Sequence, residues 1–218
     1  MIKMYVEKLG KKNIELLSIT PDAEKLIENA GRTAYLSFRK KEKDSEIKFI
    51  KMLIAKGHLS VLEHAYATFR IKGGSRAFTH QLVRHRLCSY TQQSQRYVDE
   101  SNFNYIEPDA IRNNEKANSL FTAYIENGKK IYSELQKMGI ENEDARFVLP
   151  NAVESEIVIT ANFREWRYII ELRGSKEAQW EIRRIVIEIL KILKKNAPTV
   201  FGDFEIDEKN EIVRKITV

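Results

Sequence analysis

Hydrophobic positions change period several times along the chain, and each change predicts an element. Met4, Val6 and Leu9, followed by Ile14–Ile19, alternate loosely and predict two short strands joined by a turn at Gly10-Lys11-Lys12-Asn13. Thr20-Pro21-Asp22 carries a helix-start signal: a capping hydroxyl, a proline at the first helical position and an acid near the positive end of the dipole. That helix is expected to reach about Ser37. A charged turn over Arg39–Asp44 precedes a second helix from Ser45 to Lys56, with Ile47, Ile50, Leu53 and Ile54 on one face and Gly57 at its end. Ala65–Lys72 alternates as a strand; Gly73-Gly74 is expected to break it, and Ser75 to cap a helix through about Arg86. After a polar loop, a long helix is predicted from about Asn114 to Met138, with Leu120, Tyr124, Ile131, Tyr132 and Leu135 as its apolar positions. A helical turn at Asp144–Leu149 ends at Pro150, and the β-branched run Ser155–Thr160 reads as a strand. Arg164–Leu172 reads as a helix stopped by Gly174. Ser175 is expected to cap a last helix, striped by Ala178, Ile182, Ile185, Val186, Ile189, Ile192 and Leu193. The tail beyond it follows no single period. No repeat, low-complexity tract or dividing linker interrupts the 218 residues, which predicts one α/β (α+β) domain.

Composition narrows the class. Hydrophobic residues make up 43% and charged residues 31%, a globular balance. No stretch approaches the roughly 20 apolar residues of a membrane span, and MIKMYVEKLGKK has no apolar signal core. The expectation is a soluble cytoplasmic protein with no membrane partner. A single cysteine, Cys88, excludes a disulfide framework within the chain and any zinc site made of cysteines alone.

The net charge of +6 is concentrated in one stretch. From His64 to Val98 there is no acid, while Arg70, Lys72, Arg76, Arg84, Arg86 and Arg96 all fall there, so the rest of the chain is balanced. This points to a local anion site rather than a diffusely basic surface. Within the predicted helix, Arg76, His80 and Arg84 follow at i, i+4, i+8, and Gln81 and Arg84 are i, i+3 neighbours. Stacked cations repel unless an anion lies across them, and phosphate suits the guanidinium fork. The run Ser89-Tyr-Thr-Gln92-Gln93-Ser94-Gln95-Arg96-Tyr97 adds hydroxyls and amides able to read a base or sugar.

Other chemistries lack their signatures. Gly73-Gly74 makes neither a dinucleotide fingerprint nor a P-loop, and His-Glu-x-x-His is missing. His80 and His85, five apart, do not share a helical face, and Glu63 is the sole nearby acid, so no metal site is expected. Cys88 beside His85 reads either as a thiolate nucleophile or as a small buried side chain.

Four ordered elements carry a family resemblance. Arg84-His85-Arg86, seven residues and Ser94 make the R-H-R-x7-S signature of the flavin-dependent thymidylate synthases. Gly57-His58-x-Ser60-x-x-Glu63-His64 resembles that family's upstream flavin-side element, and Arg146-x-Val-Leu-Pro150 its middle element. Asn162-Phe-Arg164-Glu-Trp-Arg-Tyr168-Ile-Ile-Glu-Leu-Arg173 with Ala178-Gln179-Trp180-Glu181 resembles its C-terminal signature. The likeness runs from about residue 20 to about residue 205.

The resemblance implies an antiparallel sheet flanked by long helices, assembled as a homotetramer with shared active sites. It implies methylation of dUMP to dTMP, with methylenetetrahydrofolate giving the carbon and FAD, reduced by NADPH, giving the hydride. Carried over by position, Ser60, Arg84, His85, Arg86, Asn162, Phe163, Arg164 and Tyr168 belong to FAD. Gln81, Arg84, Gln92, Gln93, Ser94, Gln95, Arg96, Arg146 and Arg173 belong to dUMP. Arg173 is the expected catalytic residue, a cation for charge developing on the pyrimidine; taken alone it reads as a helix C-terminal cation. Tyr168 departs from the family's usual His or Asn. Ser94 has no base beside it in sequence and is expected to hydrogen-bond substrate rather than attack it, and Cys88 becomes a bystander.

Two rival readings stand beside this one. A basic nucleic-acid module would bind RNA or DNA in a salt-sensitive way as colourless protein. A flavoprotein of altered function would bind FAD but not dUMP.

Overall fold

The structure, a computed structural model, describes residues 14–216. The strand expected over Met4–Leu9 and the turn after it lie outside the described residues. A four-stranded open antiparallel sheet has the order β1-β2-β4-β3, with β1 Ile14–Ile19, β2 Tyr66–Ser75, β3 Ser89–Gln92 and β4 Glu154–Asn162. The helices are α1 Ala23–Thr33, α2 Ser45–Ala55, α3 Arg76–Leu82, α4 Asp109–Arg112, α5 Glu115–Lys137, α6 Asn142–Ala145, α7 Phe163–Arg173 and α8 Trp180–Asn196. A hairpin of β5 Phe204–Asp207 and β6 Ile212–Lys215 resolves the tail that had no clear period. The mixed helix and sheet content matches the expected fold class.

The chain forms two compact units. One holds the described residues up to Ile71, with Leu82–Tyr90 and the chain from Val158 onward; the other holds Lys72–Gln81 and Thr91–Ile157.

In the first unit, β1 pairs antiparallel with β2, Leu16 opposite Phe69 and Ile14 opposite Ile71. Alternation along β2 buries Ala67, Phe69 and Ile71 on one face. Trp166 of α7 lies edge-on to Phe69 at 5.2 Å, and its indole N–H donates to the Ala67 carbonyl at 3.0 Å. Of the predicted stripe, α8 buries Ile182, Ile185, Val186, Ile189 and Leu193 and leaves Ile192 half-buried, while Ala178 lies before its first residue. Arg167 and Asp203, both buried, form a two-pronged ion pair at 2.6 Å that ties α7 to the segment before β5.

In the second unit, Phe103, Ile125 and Val153 make a small core with Tyr105, Phe121, Leu149 and Ala152 around it. α5 begins where expected, the Asn114 side chain accepting from the Ala117 N–H at 3.1 Å. Its predicted apolar positions are divided, however: Leu120, Tyr124 and Ile131 are exposed, Leu135 is half-buried, and Tyr132 is buried together with Ile125 and Gly128.

Several predicted boundaries move for local reasons. Thr20 caps no helix: its hydroxyl accepts the Tyr66 N–H at 2.9 Å, a strand-edge bond, and α1 starts after Asp22. α1 also ends at Thr33, with Leu36 in the left-handed region at φ 46°. The glycine pair does not break β2, which runs on to Ser75. Gly73 takes φ 78°, and a Cβ at Gly74 would sit 2.5 Å from the Phe78 ring. Ser75 does receive the Phe78 N–H at 3.0 Å, as a cap should. α3 ends at Leu82, so Arg84 is no third rung of a helical cation stripe. Ser175 starts no helix; its hydroxyl donates to the Leu172 carbonyl at the end of α7, and Gln179 caps α8.

Candidate active site

The break after α3 creates the site in the first unit. The Tyr90 hydroxyl lies 2.7 Å from the Leu82 carbonyl and 2.9 Å from that of His85, and the His85 N–H also returns to Leu82. These groups take the acceptor that a further helical turn would use, so residues 83–87 leave the helix as a loop. With α7 they wall an open cleft of about 1040 Å³, lined by Val83 to Leu87, Glu165, Tyr168, Leu172 and Arg173. Arg84 and Arg86 are exposed along it, whereas His85 is only 4% exposed.

His85 joins the arginine triplet to the C-terminal signature. Its Nε2 accepts from the Arg173 Nε–H at 3.0 Å, its Nδ1 lies 3.5 Å from Glu165 Oε1, and its ring meets the Tyr168 ring edge-on at 5.7 Å. Burial, with Arg173 adding to it, pushes the imidazole down to about 4, so it is neutral at pH 7. Because Nε2 accepts, the single ring proton sits on Nδ1, facing Glu165. Burial raises the Glu165 carboxyl, with Arg164 opposing.

A second contact joins the flavin-side elements. Arg164 pairs with Glu63 at 2.6 Å, and the Phe163 N–H donates to the Ala65 carbonyl at 2.8 Å. The short 3-10 helix Leu59–His64, carrying an exposed Ser60, is thereby tied to the start of α7. Asn162 caps α7 by accepting the Glu165 N–H at 2.8 Å. The Phe163 side chain is sealed in the core, edge-on to Phe201 at 5.3 Å, so it offers a ligand no ring surface. Tyr168 is 54% exposed at the cleft.

The amide and hydroxyl run begins in the first unit, where β3 starts, and from Thr91 onward lies in the second. Gln92 donates both amide hydrogens, to Thr79 Oγ1 at 2.9 Å and to Ser155 Oγ at 3.1 Å. The Thr79 hydroxyl donates in turn to the Arg76 carbonyl at 3.0 Å and so must accept from Gln92. Gln92 is left with its carbonyl oxygen as an acceptor. The Gln93 side chain turns inward, donating to buried Glu100 at 3.1 Å and accepting the Glu156 N–H at 3.3 Å. Ser94 Oγ accepts the Arg96 N–H at 3.3 Å, and Gln95 is buried. Arg96 is exposed and paired with Glu143 at 2.6 Å, whose carbonyl also receives the Arg146 Nε–H. Gln81 reaches the Ala77 carbonyl at 3.5 Å.

Arg76 adds what the motif reading omitted. Its guanidinium is held below its ordinary range by burial and by nearby Arg146, with Glu100 opposing. Two cations sharing a half-buried place fit a bound anion. Arg76 stood in the acid-free stretch, and that was its sequence signal. Thr79, Ser155 and Glu165 had no such signal, because their roles depend on partners distant in sequence.

Burial raises the Cys88 thiol to about 11, so it is not a thiolate at neutral pH. Among the described residues no three His, Cys, Asp or Glu side chains gather as a metal site, and no helix is long and apolar enough to cross a membrane.

Comparison with known proteins fits this arrangement. Residues 15–199 match the family described as thymidylate synthase complementing protein. A flavin-dependent thymidylate synthase of Geobacter sulfurreducens is 43% identical over 198 residues, covering 87% of this chain and 85% of that protein. Proteins of the same name from Corynebacterium efficiens and from Mycobacterium sp. strain JLS are 40% and 42% identical over 202 residues each. They cover 85% and 83% of this chain and 81% and 80% of their own lengths. A match of this extent, on a chain whose Arg84-His85-Arg86 loop meets Arg173 in one cleft, makes the protein an enzyme of the flavin-dependent thymidylate synthase family.

Proposed function

We propose that the chain acts as one domain to convert dUMP to dTMP, with methylenetetrahydrofolate as carbon donor and NADPH as reductant. The observation that carries this reading is the His85–Arg173 hydrogen bond, which puts the arginine triplet and the C-terminal arginine on one cleft.

The residues of the cleft fit FAD. Exposed Arg84 and Arg86 supply cations for a pyrophosphate, while Val83, Leu87, Tyr168 and Leu172 supply apolar wall for a flat ring. Ser60, His85, Asn162 and Arg164 complete the set through hydroxyl, imidazole, amide and guanidinium groups. Phe163 takes part through its backbone, since its ring is in the core. FAD, when bound and reduced by NADPH, supplies the hydride.

For dUMP, Arg96, Arg146 and Arg76 of the second unit supply phosphate ligands, and Gln81, Ser94 and Gln95 line the sugar and base; Arg84 of the first unit is assigned to dUMP by the family resemblance alone. Gln93 supports the site from within through Glu100. Gln92, an acceptor pinned by two hydroxyls, suits the N3–H of uracil and repels the N3 lone pair of cytosine. Arg173 stabilises negative charge on the pyrimidine as the carbon is transferred. The neutral His85 leaves that charge undiminished. The outward apolar face of α5, with Leu120 75% exposed, supports assembly into a homotetramer with shared sites. The enzyme works in the cytoplasm, on small molecules rather than nucleic acid.

The test is direct: protein supplemented with FAD, dUMP, NADPH and methylenetetrahydrofolate forms dTMP. If it forms none, the proposal fails.

A further inference from the structure

We infer that Glu165 is a positioning residue for Arg173, acting through His85, so that a Glu165–His85–Arg173 chain aims the catalytic guanidinium. The inference rests on the dTMP-forming reading for its catalytic consequence, and on geometry for the chain itself.

Three observations build it. Arg173 Nε–H points at His85 Nε2 at 3.0 Å, so the imidazole can hold the arginine only with a lone pair on that nitrogen. The ring proton must then sit on Nδ1, and the group facing Nδ1 is the Glu165 carboxylate at 3.5 Å. Both are nearly enclosed, His85 at 4% and Glu165 at 7% exposed, so little water is available to hold that proton in the carboxylate's place. Hydrogen bonds of catalytic sites commonly tighten when ligand arrives, and 3.5 Å leaves room for that.

The charges alternate along the chain: cation at Arg173, neutral imidazole, anion at Glu165. The other tautomer would set an N–H against the Arg173 Nε–H, and a protonated ring would add charge repulsion. Either turns the guanidinium away from its line. The groups facing His85 are Arg173, Glu165 and Tyr168 of α7, with Arg84 and Arg86 on its own loop. Of these, Glu165 places an acceptor against Nδ1, at 3.5 Å, and so can select the Nδ1–H form, whereas Tyr168 meets the ring through its own ring edge. Glu165 is within reach because Asn162 caps α7 on the Glu165 N–H itself, fixing the first turn that carries it.

Substitution of Glu165 by Gln keeps the shape but removes the charge, and its amide can face Nδ1 with either end. The expected result in the FAD-loaded enzyme is a kcat for dTMP lowered roughly 10- to 100-fold, with KM for dUMP and flavin affinity within about 2-fold. The Glu165→Asp variant, with its carboxylate retained, recovers part of that loss. In the 15N spectrum of the wild-type protein, His85 shows the Nδ1–H tautomer; in Glu165→Gln it shows a mixture. An Nε2–H wild-type His85 overturns the chain, and so does a Glu165→Gln enzyme with wild-type kcat. If wild type makes no dTMP while His85 is Nδ1–H and shifts in Glu165→Gln, the proposed activity fails and the positioning chain stands.

Discussion

The loop at 83–87 and the run at 92–96 both bring arginines close to neutral hydrogen-bonding groups, yet they solve opposite problems. At the cleft the enclosed groups are ionisable, His85 and Glu165, and the fixed polarity comes from a chain of alternating charge. In the run the enclosed groups are mostly neutral: Gln92, Thr79 and Ser155 lock one another, while its arginine, Arg96, stays out in solvent against Glu143. A buried charge holds a partner strongly but depends on pH and on complete pairing. A buried amide holds direction at less cost and cannot titrate. On the proposed function, the first suits a residue that stabilises developing charge, the second a residue that tells one base from another.

The largest effect should come from breaking the charged region at its end. Arg173→Ala is expected to lower turnover by at least about 10²- to 10³-fold, read as dTMP formed per enzyme, with little change in thermal midpoint. The neutral region breaks more gently. Thr79→Val with Ser155→Ala frees the Gln92 amide to rotate; KM for dUMP should rise about 10-fold and preference for uracil over cytosine nucleotides should fall.

Acid separates the regions further. His85 titrates at about 4 when folded and at its ordinary 6.5 when unfolded. The unfolded chain therefore binds the proton first, and the stability His85 gives above pH 6.5 is lost as pH falls toward 4. Glu165, whose carboxyl is raised by burial, takes its proton early in the folded state and opposes part of that loss. His85→Asn should flatten the fall of thermal midpoint between those pH values; an unchanged slope would contradict the buried neutral ring.

Smaller still is Arg96→Ala. Its ion pair is about half exposed on both sides, so stability should hardly change while KM for dUMP rises. Least of all, Cys88→Ala should keep most of the activity, because a thiol raised to about 11 is no nucleophile at pH 7.

Long regular elements were legible because their burial is local and periodic. α8 announces itself in a stripe that the structure buries, and β4 in a β-branched run that alternates buried and half-buried. α5 has the same helical period, but the pattern is right about Tyr132 and misleads about most of the rest. Leu120 and Tyr124 point outward, and small Gly128 packs inward. Hydrophobic spacing reports that a helix exists, not which of its apolar positions face the core. Helix α3 was overextended because nothing in residues 83–86 forbids a further turn. Tyr90, from beyond the loop, takes the Leu82 carbonyl.

By itself, then, the sequence determined the long helices and the strands β2 and β4, the concentration of +6 in one acid-free stretch and the motif residues, but not the short strand β3 or the β5–β6 hairpin. Only the tertiary structure decided that His85 is buried, neutral and bonded to Arg173, that Gln92 is an acceptor, and that Glu165 belongs to the site. The physical reason is separation: a side chain's charge, tautomer and free valence are set by partners up to 88 residues away, which no local pattern records.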